Sequence, residues 1–191
     1  PGISADKTID ALYAFTNCEV SISPNACVIV ENKPHFLSVD EILRINTENT
    51  RDLLRQELEI KKGELEEKWH FSSLEKIFIE ERIYRDIEEE TTWEGVLSAI
   101  DKGLDPFKKL LRREVTQEDI VRLTEIKIKR ISKFDSFKAD ELLKGIEDEL
   151  AKVKHHLENL TDYAIAYFKN LLKKYGKDKE RRTEERQFGD I

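Results

Sequence analysis

Apolar residues recur at alternating steps of four and three along the stretch from about Lys138 to Tyr175. This spacing is the heptad pattern of a helix that packs lengthwise against a partner helix. Such a helix would be roughly 55 Å long, and the charged residues between the apolar positions leave its other faces to water. Gly176 is expected to end it. The pattern predicts a projecting rod, residues 136–176, with its seam at Ala139, Leu143, Ile146, Leu150, Val153, Leu157, Leu160, Ala164, Tyr167 and Leu171.

A second rod is predicted at residues 50–90, which contain no proline. Its apolar side is formed by Leu54, Leu58, Leu65, Trp69, Ile77, Tyr84 and Ile87. Gly63 and the pair Ser72 and Ser73 weaken its middle, where we expect a bend. Because the two rods are comparable in length and joined through the intervening segment, they should form an antiparallel coiled-coil hairpin.

Residues 1–49 carry shorter patterns and are predicted to form a small α+β platform at the base of the hairpin. Cys18, Val20 and Ile22 alternate with polar residues as in a strand, and 26–30 is a second apolar strand. Ser38 followed by Glu41 is a capping box that should open a short helix. Turns are expected at 23–25 and 32–34.

The segment 91–135 between the rods is predicted to be a helical knob. Capping boxes or a proline start three helices, at Thr91 with Glu94, at Asp105 with Pro106, and at Thr116. The apolar residues of the third helix cover more than half of its circumference: Ile120, Val121, Leu123, Ile126, Ile128, Ile131 and Phe134. This helix needs only one apolar face to pack against its own knob. The remaining apolar residues therefore predict a contact with a second chain, a dimer contact. The candidate contacts are Leu123, Ile126, Ile131, Phe134 and Phe137; the alternative is a helix buried within its own knob.

Composition fits long, solvent-exposed helices. Charged residues make up 38% of the 191 residues, with seven glycines and four prolines. No apolar run reaches membrane-spanning length and no signal-peptide pattern is present, so a cytoplasmic protein is expected. Cys18 and Cys27 are expected to be buried free thiols. The chain begins at Pro1 without an initiator Met, which suggests a piece of a larger protein.

Charge is distributed unevenly. The formal net charge of −7 argues against nucleic-acid binding by the whole surface. A basic segment follows the second rod at 177–191, and it is either a binding segment or a solvated end.

Candidate chemistry within the chain is weak. His155 and His156 are adjacent on a helix and point in different directions, so they should not chelate a metal together. The glutamates 88–90 are expected to be a solvated run. No Gly-rich phosphate loop and no clustered Asp-x-Asp occurs. The sequence therefore predicts no catalytic residue, no metal site and no cofactor site in this chain.

Four strings of the sequence carry a family resemblance. They are TIDALYAFTNCEVSI (Thr8 to Ile22), NKPHFLSVDEIL (Asn32 to Leu43), EDIVRLTEIKIKRISKFD (Glu118 to Asp135) and YGKDKERRTE (Tyr175 to Glu184). In this order they resemble the A subunit of bacterial type IIA DNA topoisomerases, gyrase and topoisomerase IV. The third string looks like the family's exit-gate helix pair. This chain departs from the family ending GxRRTEI, because Glu-Glu-Arg follows Thr183.

The resemblance implies a tower and exit-gate fragment of an ATP-dependent enzyme that passes one DNA duplex through a break in another. The family's nucleophilic tyrosine directly follows an arginine, and no tyrosine of this chain does. The fragment alone is therefore expected to be inactive, with Mg²⁺ and ATP handled through the B subunit. Expected partners are a second copy of the chain, double-stranded DNA and the B subunit. Lys177, Lys179, Arg181 and Arg182 are the candidate DNA contacts.

A rival hypothesis is a structural coiled-coil dimerisation arm of a chromosome-organising protein, without topoisomerase activity. The strands predicted before the first rod favour the topoisomerase hypothesis, since a simple arm would begin with heptads.

Overall fold

The fold is mainly α, as predicted. The computed structural model describes Gly2 and residues 4–183, and the end of the predicted basic segment, 184–191, lies outside these residues. Two compact units divide between Asn49 and Thr50. The described strands and α-helices are α1 (Ala5–Phe15), β1 (Cys27–Val30), β2 (Lys33–Phe36), α2 (Val39–Glu80), α3 (Trp93–Leu104), α4 (Gln117–Thr124), α5 (Ile128–Ser132), α6 (Ser136–Glu158) and α7 (Leu160–Tyr175). A 3₁₀ helix, Asp105–Leu110, follows α3 at the predicted start of the second knob helix.

The first unit contains a hairpin of two antiparallel strands, with Val30 opposite Lys33 across the turn. Glu31 and Asn32 both have positive φ angles, 49° and 63°. A two-residue turn with both residues left-handed matches the twist of the strands that it joins. The turn therefore lies at 31–32, and the predicted turn at 32–34 is wrong because Lys33 and Pro34 belong to β2.

Two expectations about the start of the chain are wrong. Cys18 to Ile22 form no strand; the regular element there is α1, which Ser4 caps by accepting a hydrogen bond from the Lys7 N–H. Cys18 and Cys27 are free but exposed, in contrast to the buried thiols that were predicted. A five-residue segment with alternating apolar residues does not form a stable strand unless a neighbouring strand pairs with it.

The capping box before α2 is confirmed. The Ser38 N–H donates to Glu41 Oε2 (2.9 Å) and the Glu41 N–H donates to Ser38 Oγ (3.3 Å). The helix that it opens is not short, since α2 runs for 42 residues. No glycine or proline occurs between Val39 and Lys62, so nothing in the backbone interrupts it.

The first predicted rod ends early, at Glu80. Arg82 then takes a left-handed conformation with φ 57°, and a single 3₁₀ turn follows at Ile83–Arg85. A helix cannot continue through a left-handed residue.

Helices α2 and α6 pack antiparallel in the second unit. Their buried seam consists of Leu58, Leu65, Trp69, Ile146, Leu150 and Val153. Polar contacts show the same antiparallel direction. Trp69 donates to Glu147 at 3.1 Å, and Lys76, seven residues further along α2, bonds to Asp140, seven residues earlier in α6. The heptad prediction for this part of the hairpin is therefore confirmed.

The second rod is two helices and not one. Asn159 leaves the helical region (φ −116°, ψ 46°), and its side-chain amide donates to the His155 carbonyl oxygen at 3.0 Å. An asparagine side chain that competes for backbone groups favours such an interruption. The predicted end is confirmed, because α7 stops at Tyr175 before Gly176. In the described part of the chain, no helix is both long enough and apolar enough to span a membrane.

Candidate functional site

The knob has a hydrophobic core of its own. It combines the last turns of α2 with the 3₁₀ turn, α3 and α4, through Leu74, Phe78, Ile79, Ile83, Ile100, Leu104, Ile120 and Leu123. Complete burial of side chains of this size stabilises by roughly 1.5 to 3 kcal/mol each. The knob is therefore held on the end of α2 by apolar packing.

The third knob helix is broken, which corrects the prediction of one continuous helix. α4 ends at Thr124, whose hydroxyl donates to the Val121 carbonyl oxygen (2.6 Å), and α5 begins only at Ile128. The Glu125 N–H bonds to Arg122 and Leu123 carbonyls, the tightened pattern of a helix end. The apolar arc is thus shared by two short helices with different surroundings.

The five candidate dimer residues fall into three groups. Leu123 is 1% exposed and belongs to the knob core, so it has no surface to offer a second chain. Ile126, Ile131 and Phe134 are half-buried against that core. Phe137, at the start of α6, is 70% exposed. Of the five, Phe137 is the side chain most available for contact.

Ile128 is an exposed apolar residue of the knob that the interface prediction omitted. It is 83% exposed at the first position of α5. Its position between Lys127 and Lys129 was the available signal, because an isoleucine flanked by lysines is typical of a surface-facing segment. The break between α4 and α5 turns it away from the core that Leu123 joins.

A buried polar junction connects the knob to α2. His70 and Asp119 are 1% and 4% exposed, and His70 Nε2 lies 3.2 Å from Asp119 Oδ2. Because a carboxylate only accepts, this ring nitrogen carries the proton and donates. Arg113 donates to both carboxylate oxygens of Asp119, at 2.7 and 2.9 Å. Asp119 also completes the capping box with Thr116 that opens α4.

Electrostatics at Asp119 favour the charged form. Burial by itself would raise the pKa of Asp119, but hydrogen bonds from Arg113, Thr116 and His70 outweigh it and hold the pKa well below its usual range. Asp119 is therefore ionised, and its hydrogen bonds connect the start of α4 to His70 of α2.

A second contact joins the knob to both rods. The Arg112 guanidinium lies 4.1 Å from the centre of the Trp69 ring and donates to Glu147 Oε1 at 3.0 Å. Trp69 donates to the same carboxylate oxygen. Cation–π stacking of this kind is worth about 0.5 to 1 kcal/mol at exposed sites. The knob is thus fastened to α2 and α6 at once.

The candidate DNA contacts follow α7. Lys177, Lys179, Arg181 and Arg182 are exposed in a non-helical segment, where the Lys179 N–H closes a turn on the Gly176 carbonyl oxygen at 3.1 Å. Two acidic residues, Asp178 and Glu180, alternate with them. The two acidic side chains therefore cancel part of the positive charge of the four basic side chains. Its role in binding DNA stays a prediction.

No cluster of three or more metal-ligating side chains occurs among the residues that the structure describes. His155 and His156 have ring centres 5.9 Å apart, and His156 stacks on Tyr163 at 4.7 Å.

Two comparisons with known sequences identify related proteins. The sequence profile of the A subunit of DNA gyrase/topoisomerase IV matches residues 1–169. The A subunit of DNA topoisomerase 4 from Borreliella burgdorferi is 33% identical over 182 residues, which is 95% of this chain and 29% of the relative. The chain thus spans less than a third of the length of that relative. On the profile match and this identity, the chain belongs to the family of DNA gyrase and topoisomerase IV A subunits.

Proposed function

We propose that this chain is the tower and exit-gate part of the DNA-breaking subunit of an ATP-dependent type II topoisomerase. In this proposal two copies meet through their knobs and form a gate that releases a transported duplex. The parent enzyme works in the cytoplasm, with a B subunit that supplies ATP and Mg²⁺ chemistry, and acts on double-stranded DNA. The chain alone neither cleaves nor joins DNA.

One observation supports the gate role above the others. The knob has a core of its own and is fastened to both rods, yet Phe137 and Ile128 remain exposed close together in sequence. Large apolar side chains exposed on an otherwise well-packed body are typical of a contact surface. A contact made by a few such residues suits a gate that must reopen.

The rival, a dimerisation arm without topoisomerase activity, would use the same hairpin and knob. The family profile matches residues 1–169, which include the first 49 residues as well as most of both rods. A generic arm has no need of those residues, so the family match favours the topoisomerase role.

The dimer is tested with the chain itself. We expect analytical ultracentrifugation to find a dimer with a Kd on the order of tens of micromolar or tighter. Phe137→Asp should weaken it by about tenfold or more, since a two-fold contact meets each substitution twice. Ile60→Asp is the matched control, because Ile60 is similarly exposed on α2, away from the knob.

Circular dichroism should show the same helix content for the wild type, Phe137→Asp and Ile60→Asp, because neither Phe137 nor Ile60 is buried. A wild-type chain that stays monomeric at these concentrations contradicts the gate proposal. A dimer that tolerates Phe137→Asp and Ile128→Asp would move the contact to another surface.

A further inference from the structure

The stretch 127–138 is a cationic segment on the surface of the knob. It contains five cations, Lys127, Lys129, Arg130, Lys133 and Lys138, against the single acid Asp135, and all five are exposed. Arg130 is bound to Glu75, at 2.6 and 3.0 Å, and Lys138 lies 3.7 Å from Asp135. The other three lysines form no ion pair with any described residue. The exposed Ile128 and Phe137 belong to this same segment.

The stretch 86–94 is an anionic segment on the same knob. It contains Asp86, Glu88, Glu89, Glu90 and Glu94 and no basic residue, and all five acids are exposed. None of them forms an ion pair in the part of the chain that the structure describes. Trp93 lies among them and is 54% exposed. Each segment thus combines uncompensated charge with a large apolar side chain.

The two segments do not neutralise each other within one chain, because no ion pair between described residues joins 86–94 to 127–138. In a two-fold contact, a surface that lies away from the symmetry axis meets a different surface of the second chain, and the same pairing occurs a second time with the two chains exchanged. We propose that the cationic segment of one knob binds the anionic segment of a second copy, and the reverse. This inference rests on the dimer proposed above and names the surfaces that form it.

Charge and aromatic chemistry favour this partner. A lysine from the opposite cationic segment can lie over the exposed Trp93 ring in a cation–π contact, while other lysines of that segment pair with the acids of 86–94. Duplex DNA would complement only the cationic segment, and the five acids of the same knob would repel its phosphates. A second copy complements both segments at once.

The contact makes the gate sensitive to salt. Exposed charges are screened as the Debye length falls from about 10 Å at 0.1 M salt to about 3 Å at 1 M. We expect the dimer Kd to rise by about tenfold or more across this range, because several exposed ion pairs weaken together.

Charge reversal tests the pairing directly. The cation variant carries Lys129→Glu and Lys133→Glu, and the anion variant carries Glu88→Lys and Glu89→Lys. Glu90 is left unchanged because its carboxylate lies beside Gly95 in the first turn of α3. Each variant alone should dimerise at least about tenfold more weakly than the wild type at low salt. An equimolar mixture of the two should recover dimers, since the reversed segments are again complementary.

A matched control separates the pairing from net charge. Lys61→Glu with Lys68→Glu makes the same change of net charge on exposed positions of α2 and should leave the dimer unchanged. A wild-type dimer that is indifferent to both charge variants overturns this inference and leaves the proposed dimer standing. A wild-type monomer contradicts the dimer itself. Weaker binding of a short DNA duplex by the cation variant, with its dimer intact, would assign the cationic segment to DNA and also overturn the inference.

Discussion

At the scale of single residues, Asp119 connects three groups from different parts of the chain. It bonds to Arg113 through both oxygens, to buried His70, and to the backbone N–H of Thr116. Removing one partner of a buried charged group leaves the others without compensation. The knob's attachment therefore depends on a carboxylate that no local sequence motif marks as more than a helix cap.

Asp119→Asn should lower the free energy of unfolding by about 2 to 3 kcal/mol, because the neutral amide loses the charge-assisted bonds to Arg113. Urea denaturation measures this change. The control is Asp52→Asn, whose carboxylate pairs with Arg55 on the exposed face of α2. That change should cost no more than about 1 kcal/mol. Equal losses for the two variants would contradict the role assigned to the junction.

The same residue predicts a pH dependence. The folded-state pKa of Asp119 is depressed, so its stabilisation is fully present above the unfolded-state pKa of about 4 and is lost as pH falls toward the folded-state pKa. We expect the stability difference between wild type and Asp119→Asn to be constant above about pH 5 and to shrink below about pH 4. A difference that stays constant down to about pH 3 would show that the carboxylate charge is not what stabilises the junction.

At the scale of elements, glycines distinguish packed from solvated helix faces. A Cβ on Gly103 of α3 would lie 2.7 Å from Ile83 Cγ2, in the knob core. A Cβ on Gly63 of α2 would meet nothing within 4 Å. Gly103 allows α3 to approach the 3₁₀ turn closely, whereas Gly63 only weakens its helix.

The same substitution should therefore act in opposite directions at these two sites. Gly103→Ala should destabilise the chain by about 1 to 3 kcal/mol through overpacking. Gly63→Ala should stabilise it by about 0.5 to 1 kcal/mol, because alanine is the better helix former. Thermal unfolding followed by circular dichroism compares the two directly. A stabilising Gly103→Ala would mean that α3 is free to move away from Ile83.

At the scale of the whole molecule, charge is separated along an acidic chain. The net charge is −7, yet positive charge concentrates in the cationic segment 127–138 and after α7. The unit that ends at Asn49 has another character, since exposed apolar side chains such as Phe15, Ile22 and Phe36 occur throughout it. Exposed apolar side chains in this number are typical of a unit that contacts another surface. Under the proposed function, we expect DNA and further protein to bind different parts of the chain.

The basic residues after α7 are tested by the salt dependence of duplex binding. Replacing Lys177, Lys179, Arg181 and Arg182 by Gln should weaken binding equally across sequences. Each phosphate interaction that the variant removes should reduce the slope of log affinity against log salt by about 0.9. The control replaces Lys61, Lys68, Lys152 and Lys154, which are exposed on the rods. If the wild type and the variant at 177–182 have identical slopes, the four basic residues after α7 are solvated surface and not DNA contacts.

Local chemistry alone determined a large part of this structure. The capping box predicted at Thr91 is wrong, because Thr92 caps α3. Heptad spacing predicted the pairing of α2 with α6, and the helix starts predicted at Ser38 and Thr116 are both present. These features are predictable because a cap acts within four residues and a seam repeats over many turns. Motif strings likewise carried the family resemblance, which the profile match and the Borreliella relative confirm.

Tertiary structure decided which members of each pattern serve which purpose. Leu123 and Ile128 are both apolar residues of one predicted helix, but a break after Thr124 places the first in the core and leaves the second in solvent. His70 and Asp119 are 49 positions apart and share no motif. Periodicity specifies that a face is apolar without specifying what covers it, and a buried hydrogen-bonded pair forms only once packing has brought both partners together and removed water from them.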